Sequence, residues 1–403
     1  MSIELLSPAG NLEKLKFAVY YGADAVYFSF KEFGLRSGAA NFTINGIRDA
    51  IDFLHKNNKK GYVTINIYAR NEDFKDLETL IYTLDEINVD AFIVSDPGII
   101  HFINKLGVKK PLHLSTQANT TNINAVKFWE DCGIQRIILA RELSLKEIEY
   151  ICKNTSVEIE VFIHGAMCVS YSGRCYLSYY MTKRDANRGD CSHSCRWKYY
   201  LVEETRSGEF FEIEEDRYGS YILNAKDLCL IDYIDKLKDA GVDAFKIEGR
   251  MKSIFYTSIV TGVYRHAIDA LSIKGNFCQS VDICKELLNM VSNRGYTTGF
   301  IDGDNSDSIN IDSSKYIREA DFIGYLENER NNVILHCRAK AEEYEDLHLF
   351  MPNLVEKTFK LECPKYYKNG EKVSALKPNE RYIITLPYKV QDFSLVVRKH
   401  NGK

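Results

Sequence analysis

Five cysteines lie near one another in the middle of a chain of 403 residues. They are Cys168, Cys175, Cys191, Cys195 and Cys229. Thiolates bind zinc and iron–sulfur clusters, so four of them converging on one point would form a metal centre. The chain has eleven cysteines in all, and the scattered ones are interpreted as small buried apolar residues. These are Cys132, Cys152, Cys278, Cys284, Cys337 and Cys363.

The spacing of the five cysteines favours an iron–sulfur cluster over zinc. Structural zinc sites usually pair ligands about two to four residues apart, and only Cys191 and Cys195 are that close. Ligands spread over a fold are more typical of a cluster, which needs four separate corners. Zinc is one alternative, and buried or redox-active thiols are another. The predicted ligands are Cys168, Cys175, Cys191 and Cys229, and Cys195 is the alternative to any one of them.

Other polar residues fall where strands are expected to end. They are His164, Lys226, Asp227, Glu248 and Arg250. Lys246 and Glu248 are two residues apart on an expected strand, so their side chains share one face. His164 is interpreted either as a catalytic residue or as a core histidine with satisfied hydrogen bonds.

The loop around Cys191 carries an excess of positive charge. Its basic residues are Lys183, Arg184, Arg188, Arg196 and Lys198, against Asp185 and Asp190. Positive charge beside a site suits a phosphate or carboxylate ligand. A solvated loop surface is the alternative interpretation.

A repeated pattern predicts the elements that carry these residues. Four segments begin with Gly or Asn, which end helices, and continue into an apolar strand; they start at Gly22, Asn88, Gly133 and Gly241. Further strands are predicted at Ile3–Ser7, Tyr62–Ile67, Leu112–Thr116, Ile159–Ile163 and Tyr221–Leu223. About eight β–α units of this kind predict a TIM-like β/α barrel, whose strand exits all face one end. A doubly wound open sheet is the alternative, weakened because no Gly-rich dinucleotide turn follows the first strand.

The pattern of residues in the sequence changes near residue 300. We predict a barrel over residues 1–300, a polar linker over 301–315 and a small β-rich domain over 316–403. Period-two alternation in the last region predicts antiparallel strands, at Val333–Cys337, Leu347–Phe350, Thr358–Leu361, Tyr382–Leu386 and Phe393–Val397.

Composition excludes several classes of protein. Apolar residues make up 45% of the chain, which argues against wholesale disorder. The net charge of −4 disfavours a generally basic protein that coats nucleic acid, so any RNA contact would use a local patch. There is no signal-peptide pattern and no apolar run of about 18 residues, so we expect a cytoplasmic protein without a membrane span. An odd cysteine count in such a chain disfavours a disulfide framework.

Seven motifs in order resemble those of the collagenase-like peptidase family of unknown catalytic type, family U32. They are Glu4–Asn11, Gly22–Tyr27, His164–Cys168, Tyr171–Cys175, Arg188–Cys191, Lys226–Cys229 and Lys246–Lys252. The resemblance spans nearly all of the first 300 residues. The stretches Lys183–Arg188 and Cys195–Tyr199 are most similar to family members that modify tRNA.

This resemblance implies a 4Fe–4S cluster on the barrel and hydroxylation at C5 of the wobble uridine in tRNA, with prephenate metabolism as a requirement. The partners expected are tRNA and a small carboxylate such as prephenate. Arg250 and the basic loop would hold RNA phosphates or that carboxylate, and His164 or Glu248 would handle protons. The sequence does not specify an oligomeric state.

Two other activities are compatible with the resemblance. One is peptide cleavage, as the family name says; the sequence has no His-Glu-x-x-His pair and no Gly-x-Ser-x-Gly elbow. Cys168 as a nucleophile with His164 as its base is the form this alternative would take. The other is hydroxylation of ribosomal RNA or of a quinone precursor, the reactions of further relatives.

Overall fold

The chain divides into two compact units. The computed structural model describes residues 3–30, 42–168, 170–197, 215–216, 219–220, 225–272, 277–303, 316–354, 356–362, 365–367 and 370–400, here termed the described residues. The barrel unit comprises residues 1–19, 23–252 and 293–316. The C-terminal unit comprises residues 20–22, 253–292 and 317–403.

The barrel unit is built around a closed ring of parallel strands. The strands of the barrel unit, within the ring and outside it, are β1 (Glu4–Pro8), β2 (Ala25–Ser29), β3 (Lys60–Ile65), β4 (Ala91–Val94), β5 (Leu112–Leu114), β6 (Arg136–Ile138), β7 (Glu158–Ala166), β8 (Glu215–Asp216), β9 (Gly219–Ser220), β10 (Asp227–Cys229), β11 (Ala244–Ile247) and β12 (Tyr296–Thr297). Strands β1 to β7 pair in chain order, and β11 pairs in parallel with both β7 and β1. These eight strands close a TIM-like β/α barrel, which confirms the predicted fold and excludes the open sheet.

Helices follow most of the barrel strands. They are α1 (Leu12–Tyr20), α2 (Ile44–Lys56), α3 (Phe74–Glu86), α4 (Pro97–Leu106), α5 (Ile123–Asp131), α6 (Leu145–Lys153), α7 (Leu177–Thr182) and α8 (Ile234–Asp239). Capping residues set where they begin: Asn11 Oδ1 accepts a hydrogen bond from the Lys14 amide at 2.9 Å. Ser144 and Glu147 form the capping box of α6, with the Ser144 amide 2.8 Å from Glu147 Oε2.

Charged side chains fill part of the barrel interior. Arg136 Nη1 lies 2.5 Å from Glu4 Oε1 and 3.3 Å from Glu160 Oε2, and Lys246 Nζ lies 2.7 Å from Glu160 Oε1. Arg136, Glu160 and Lys246 are buried. Two cations and two carboxylates therefore compensate one another, because an unpaired buried charge would be strongly destabilising.

Strand β10 carries Cys229 and lies outside the ring of parallel strands. It runs antiparallel to β7, with Cys229 opposite His164 and Asp227 opposite Ala166. The strand predicted just before it, Tyr221–Leu223, lies outside the described residues. Cys229 therefore lies on a strand beside the ring and not at the end of a parallel barrel strand, because the eighth strand of the ring is β11.

The C-terminal unit combines two helices with antiparallel strands. Its elements are α9 (Ile254–Ala270), α10 (Phe277–Asn289), β13 (Ala320–Glu329), β14 (Asn332–Cys337), β15 (Ala341–Glu342), β16 (Asp346–Phe350), β17 (Glu356–Lys360), β18 (Lys365–Tyr366), β19 (Ala375–Leu376), β20 (Arg381–Ile384) and β21 (Ser394–Lys399). The main sheet has the order β17-β16-β21-β13-β14-β20-β18, and every pair in it is antiparallel. The predicted antiparallel region is confirmed, although its longest strand, β13, was not predicted.

The residue ranges of the two units differ from those predicted for the domains. Residues 253–292 cluster with the C-terminal strands and not with the barrel. The predicted linker lies mostly outside the described residues. Among the helices that the structure describes, none has the length and apolar character needed to cross a bilayer.

Candidate functional site

A cavity of about 150 Å³ lies at the carboxyl ends of the barrel strands. Four cysteines line it: Cys168, Cys175, Cys191 and Cys195. Cys168 follows β7, Cys175 comes just before α7, and the other two follow α7. Because active sites of β/α barrels are built at this end, the cavity is the candidate functional site.

The loop that carries the cysteines is held by side chains of its own and of the barrel. Glu142 accepts hydrogen bonds from the Ser172 amide at 2.6 Å and from the Ser172 hydroxyl at 2.5 Å. Asn187 bonds both backbone groups of Cys175, accepting from its amide at 3.2 Å and donating to its carbonyl at 2.9 Å. These contacts fix the backbone on both sides of Cys175.

Arg188 ties the same loop to the start of α3. Its guanidinium donates to both carboxylate oxygens of Asp73, at 2.8 and 3.0 Å, and to the Tyr68 carbonyl at 2.9 Å. The hydrogen bonds from Arg188 lower the pKa of the Asp73 carboxyl. A bidentate pair of this kind fixes orientation as well as distance.

Two of the cysteine sulfurs have polar neighbours. The His193 amide lies 3.4 Å from Cys191 Sγ, and the Ser170 hydroxyl lies 2.8 Å from Cys168 Sγ. Hydrogen bonds to ligand sulfurs are among the means by which proteins tune iron–sulfur clusters. The donor set of four thiols, two with polar neighbours, fits such a cluster.

One wall of the cavity is built from side-chain amides. Asn66 Nδ2 donates to Gln117 Oε1 at 3.1 Å, and both residues are buried. Asn66 Oδ1 is buried and has no hydrogen-bond partner among the described residues. An unpaired buried acceptor is costly, so a ligand with an N–H or O–H group would be favoured there.

Arg141 forms another part of the lining. Its guanidinium lies 3.9 Å from the centroid of the Phe162 ring and donates to the Ala166 carbonyl at 2.7 Å. Arg141 Nε is buried without a hydrogen-bond partner in the described part of the chain. A guanidinium that stacks on an aromatic ring presents its other face as a platform for a planar ligand.

Glu248 and Arg250 also line the cavity, as does Lys246. Arg250 is buried and donates to the hydroxyls of Ser29 and Thr64, the latter at 3.2 Å. Glu248 accepts a hydrogen bond from the Tyr27 hydroxyl at 3.3 Å. Burial lowers the pKa of Lys246, although Glu160 opposes that change. The structure therefore brings two of the three predicted catalytic residues to the site.

His164 and Cys229 are not part of the cavity lining among the described residues. Both are buried, and they face each other across the β7–β10 pair. The His164 ring lies 5.4 Å from that of Tyr296, and burial lowers the pKa of His164 to about 3. The structure thus places His164 in a buried position outside the cavity lining, and its role as a catalytic or a core residue stays a prediction.

The basic loop is divided by the structure. Arg188 binds Asp73, and Arg184 pairs with Asp190 at 2.7 Å. Lys183 is exposed, with Nζ 5.4 Å from the centroid of the Tyr179 ring. The Arg196 side chain and Lys198 lie outside the described residues. Arg188 therefore serves to hold the loop, whereas Lys183 and Arg184 are left at its surface.

Several cavity residues were missed by the sequence analysis. They are Asn66, Ser115, Gln117, Arg141 and Glu142. Asn66 directly follows β3, Ser115 directly follows β5, and Arg141 comes three residues after β6. A search for polar residues in the last positions of every expected strand and just after it, and not only near the cysteines, would have found them.

Comparison with known proteins relates the chain to one family. The family model of "Peptidase family U32" matches residues 10–310. The chain is 46% identical over 301 residues to tRNA hydroxylation protein P1 of Bacillus subtilis, covering 74% of this chain and 71% of that protein. It is 34% identical over 449 residues to tRNA hydroxylation protein P of Escherichia coli, covering 99% and 97%. It is 37% identical over 322 residues to the 23S rRNA 5-hydroxycytidine C2501 synthase of Escherichia coli, covering 78% and 48%.

Proposed function

The chain belongs to peptidase family U32, and on that premise we propose that it is an enzyme that hydroxylates C5 of the wobble uridine in tRNA. Similar proteins whose names describe RNA hydroxylation support this proposal. The observation that carries it is the convergence of four cysteines on one cavity. The proposal includes a cytoplasmic location.

We further propose that Cys168, Cys175, Cys191 and Cys195 hold a 4Fe–4S cluster. Cys195 replaces Cys229 in this set because Cys195 lines the cavity and Cys229 does not. When bound, the cluster would supply one-electron transfers, and replacing the C5 hydrogen of a uridine by hydroxyl removes two electrons from the ring. The oxygen donor is expected to be a separate small molecule, which would accept those two electrons as it gives up its oxygen atom.

No three of the described cysteine sulfurs are gathered as closely as the ligands of one zinc ion. Sulfurs around a tetrahedral zinc ion lie about 3.8 Å apart, since each Zn–S bond is about 2.3 Å. Among the described residues, the group of three candidate ligand atoms within 4.8 Å of one another is Glu327, Glu329 and His336, in the C-terminal sheet. That group contains no cysteine, so the choice between a cluster and zinc rests on metal analysis.

The other lining residues suit a planar base and an acidic co-substrate. Asn66 Oδ1 would accept the N3–H of a uracil ring, and Arg250 would bind the carboxylate of a small molecule such as prephenate. Glu248 would take up the proton released from the ring. Peptide cleavage in its predicted form is less well supported, because His164, the base predicted for a Cys168 nucleophile, does not line the cavity; His193 does line it.

The first experiment is nucleoside analysis of tRNA from a strain that lacks this gene. We expect 5-hydroxyuridine and its derivatives to disappear and to return with the wild-type gene but not with Cys175→Ser. Unchanged 5-hydroxyuridine in the deletion strain would contradict the proposed reaction, and loss of a hydroxylated nucleoside from ribosomal RNA would point to the other substrate class.

The ligand set is tested by two matched variants, Cys195→Ser and Cys229→Ser, purified without oxygen. We expect about four iron and four sulfide ions per wild-type chain. Cys195→Ser should lose most of this iron, and Cys229→Ser should keep it. The reverse order would return Cys229 to the ligand set, and about one zinc ion per chain would replace the cluster by the zinc alternative.

A further inference from the structure

Tyrosines form an exposed cluster on the loop that carries the cysteines. Four of the ten residues from 171 to 180 are tyrosine. Tyr176 and Tyr180 are each 68% exposed, Tyr171 is 54% exposed and Tyr179 is 39% exposed. The Tyr176 ring centroid lies 5.8 Å from that of Tyr179 and 6.5 Å from that of Tyr180. Large side chains that group together on a surface, and are not scattered singly, mark interaction sites.

Two of these tyrosines are next to lining residues of the cavity along the chain. Tyr171 stands between Ser170 and Ser172, which both line the cavity, and Tyr176 directly follows the lining residue Cys175. The cavity measures about 150 Å³, so the neighbours of any nucleotide whose base entered it would have to remain outside. The tyrosines are in position to meet those neighbours.

The charge beside the cluster is positive. Residues 171–190 contain four basic and two acidic side chains. Lys183 is exposed and lies against the Tyr179 ring, and Arg184 is exposed beside it. The pair between Arg184 and Asp190 is open to solvent at both ends, so it holds Arg184 only weakly. Ring faces next to mobile cations match the bases and phosphates of a single strand of nucleic acid.

We propose that Tyr171, Tyr176, Tyr179 and Tyr180 are a stacking platform for the unpaired nucleotides of an RNA loop. The inference rests on the proposed function, and adds to it the surface that binds the substrate on either side of the modified nucleotide. Enzymes that act on a base extrude it from its stack, and stacking of the flanking bases on aromatic side chains compensates for that loss. Since every base has a π-face, this surface would tolerate different neighbouring sequences.

The test uses the full-length, iron-loaded protein and a synthetic tRNA anticodon stem-loop as the probe. The double variant Tyr176→Ala/Tyr180→Ala removes two rings, and Tyr176→Phe/Tyr180→Phe keeps them while removing the hydroxyls. Tyr150→Ala is the matched control, because Tyr150 is also exposed, at 59%, but belongs to helix α6. Kd is measured by fluorescence anisotropy at several salt concentrations.

We expect the double alanine variant to bind the stem-loop roughly 10- to 100-fold more weakly than wild type, as stacking losses of this size imply. The double phenylalanine variant and Tyr150→Ala should bind within about threefold of wild type. Lys183→Gln should reduce the slope of log Kd against log salt by about one, whereas the alanine variant should leave that slope unchanged.

Equal binding of the stem-loop by wild type and by the double alanine variant would overturn the platform while leaving the proposed hydroxylation in place. Absence of RNA binding by iron-loaded wild type would overturn both. Iron content and melting temperature are measured for each variant, and Tyr180→Ala alone replaces the double variant if the latter loses iron. A variant that loses gelatin binding and keeps RNA binding would assign the surface to a protein substrate.

Discussion

His113 lies inside the barrel next to the network of buried charges. It is 4% exposed, its ring meets that of Tyr62 edge to face at 4.7 Å, and its Nδ1 has no hydrogen-bond partner among the described residues. Burial, and after it the positive charges of Arg136, Lys246 and Lys60, hold the pKa of His113 well below its usual value of 6.5. The ring is therefore neutral at physiological pH.

The lowered pKa of His113 predicts that the protein loses stability in acid. Below pH 6.5 the unfolded chain binds a proton at His113 that the folded chain does not, so the free energy of unfolding should fall as the pH falls. The largest possible slope from this residue is about 1.4 kcal/mol per pH unit. His113→Phe keeps a ring and removes the proton site, so its stability should depend less steeply on pH between 6.5 and 4.5 than that of wild type.

Urea unfolding at pH 7, 6, 5 and 4.5 would measure this difference. His101→Phe is the control, since His101 is an exposed histidine of α4. Parallel curves of stability against pH for wild type and His113→Phe would show that His113 takes up a proton as readily in the folded chain as in the unfolded chain. That result would contradict the lowered pKa.

At the scale of elements, local sequence was enough to predict most of the barrel. Gly22, Asn88, Gly133 and Gly241 have positive φ angles of 98°, 65°, 88° and 96°, the left-handed conformation that ends a helix and that these residue types adopt most easily. Each is followed by a buried strand. This information lies within a few neighbouring residues, so a single sequence reveals it.

The position of β10 could not be predicted in the same way. Three residues, Asp227 to Cys229, have the same apolar-strand pattern whether they run parallel or antiparallel to β7. Their direction depends on which distant segment closes the ring, and that segment is β11. The grouping of the cysteines was predicted from their spacing and from the expected strand ends, whereas the finding that Cys195 lines the cavity and Cys229 does not depends on this non-local pairing.

The hydrogen bonds between Arg188 and Asp73, which tie the cysteine loop to α3, are expected to stabilise the protein. Arg188→Ala leaves Asp73 without its bidentate partner and frees the loop beside Asn187. We expect a loss of about 1–3 kcal/mol of unfolding free energy, because hydrogen bonds between charged groups are broken where solvent compensates only in part. Iron should also be released more readily during anaerobic gel filtration.

Arg184→Ala provides a matched control in the same loop. The ion pair of Arg184 with Asp190 is about half exposed on both sides, so its loss should cost well under about 1 kcal/mol. If both variants retained iron equally and melted together, the Arg188 tether would not be what holds the cysteines in position.

At the scale of the whole molecule, the chain builds its two units from separate stretches. Helix α9 is mostly buried, its Phe255 stacks on Phe322 with ring centroids 5.6 Å apart, and a methyl group at Gly262 would come within 3.0 Å of Leu354. These partners of α9 follow it by 67 to 92 residues. The C-terminal unit is therefore assembled from both sides of residue 300.

A truncation at the boundary that the sequence indicated should consequently fail. A fragment of residues 1–300 keeps α9 and removes Phe322 and Leu354, so we expect it to expose apolar surface and aggregate. Dye binding to exposed apolar surface and size-exclusion chromatography would detect this. A fragment of residues 1–400, which retains every described strand, should behave as the full chain does. A 1–300 fragment that stays monomeric and does not bind the dye would contradict the assembly of the C-terminal unit from both sides of residue 300.

The interleaving also bears on how the protein is made. A ribosome adds about 5–20 residues per second. The closing barrel strand, β11, is complete at residue 247. Residues 253–292 are made roughly 100 residues before β21, the last strand of the unit to which they belong, which corresponds to about 5 to 20 seconds of synthesis. During that time the apolar helix α9 is open to chaperones and to other nascent chains. The yield of native protein should therefore depend on how fast residues 317–399 are translated, more than on how fast the barrel itself is made.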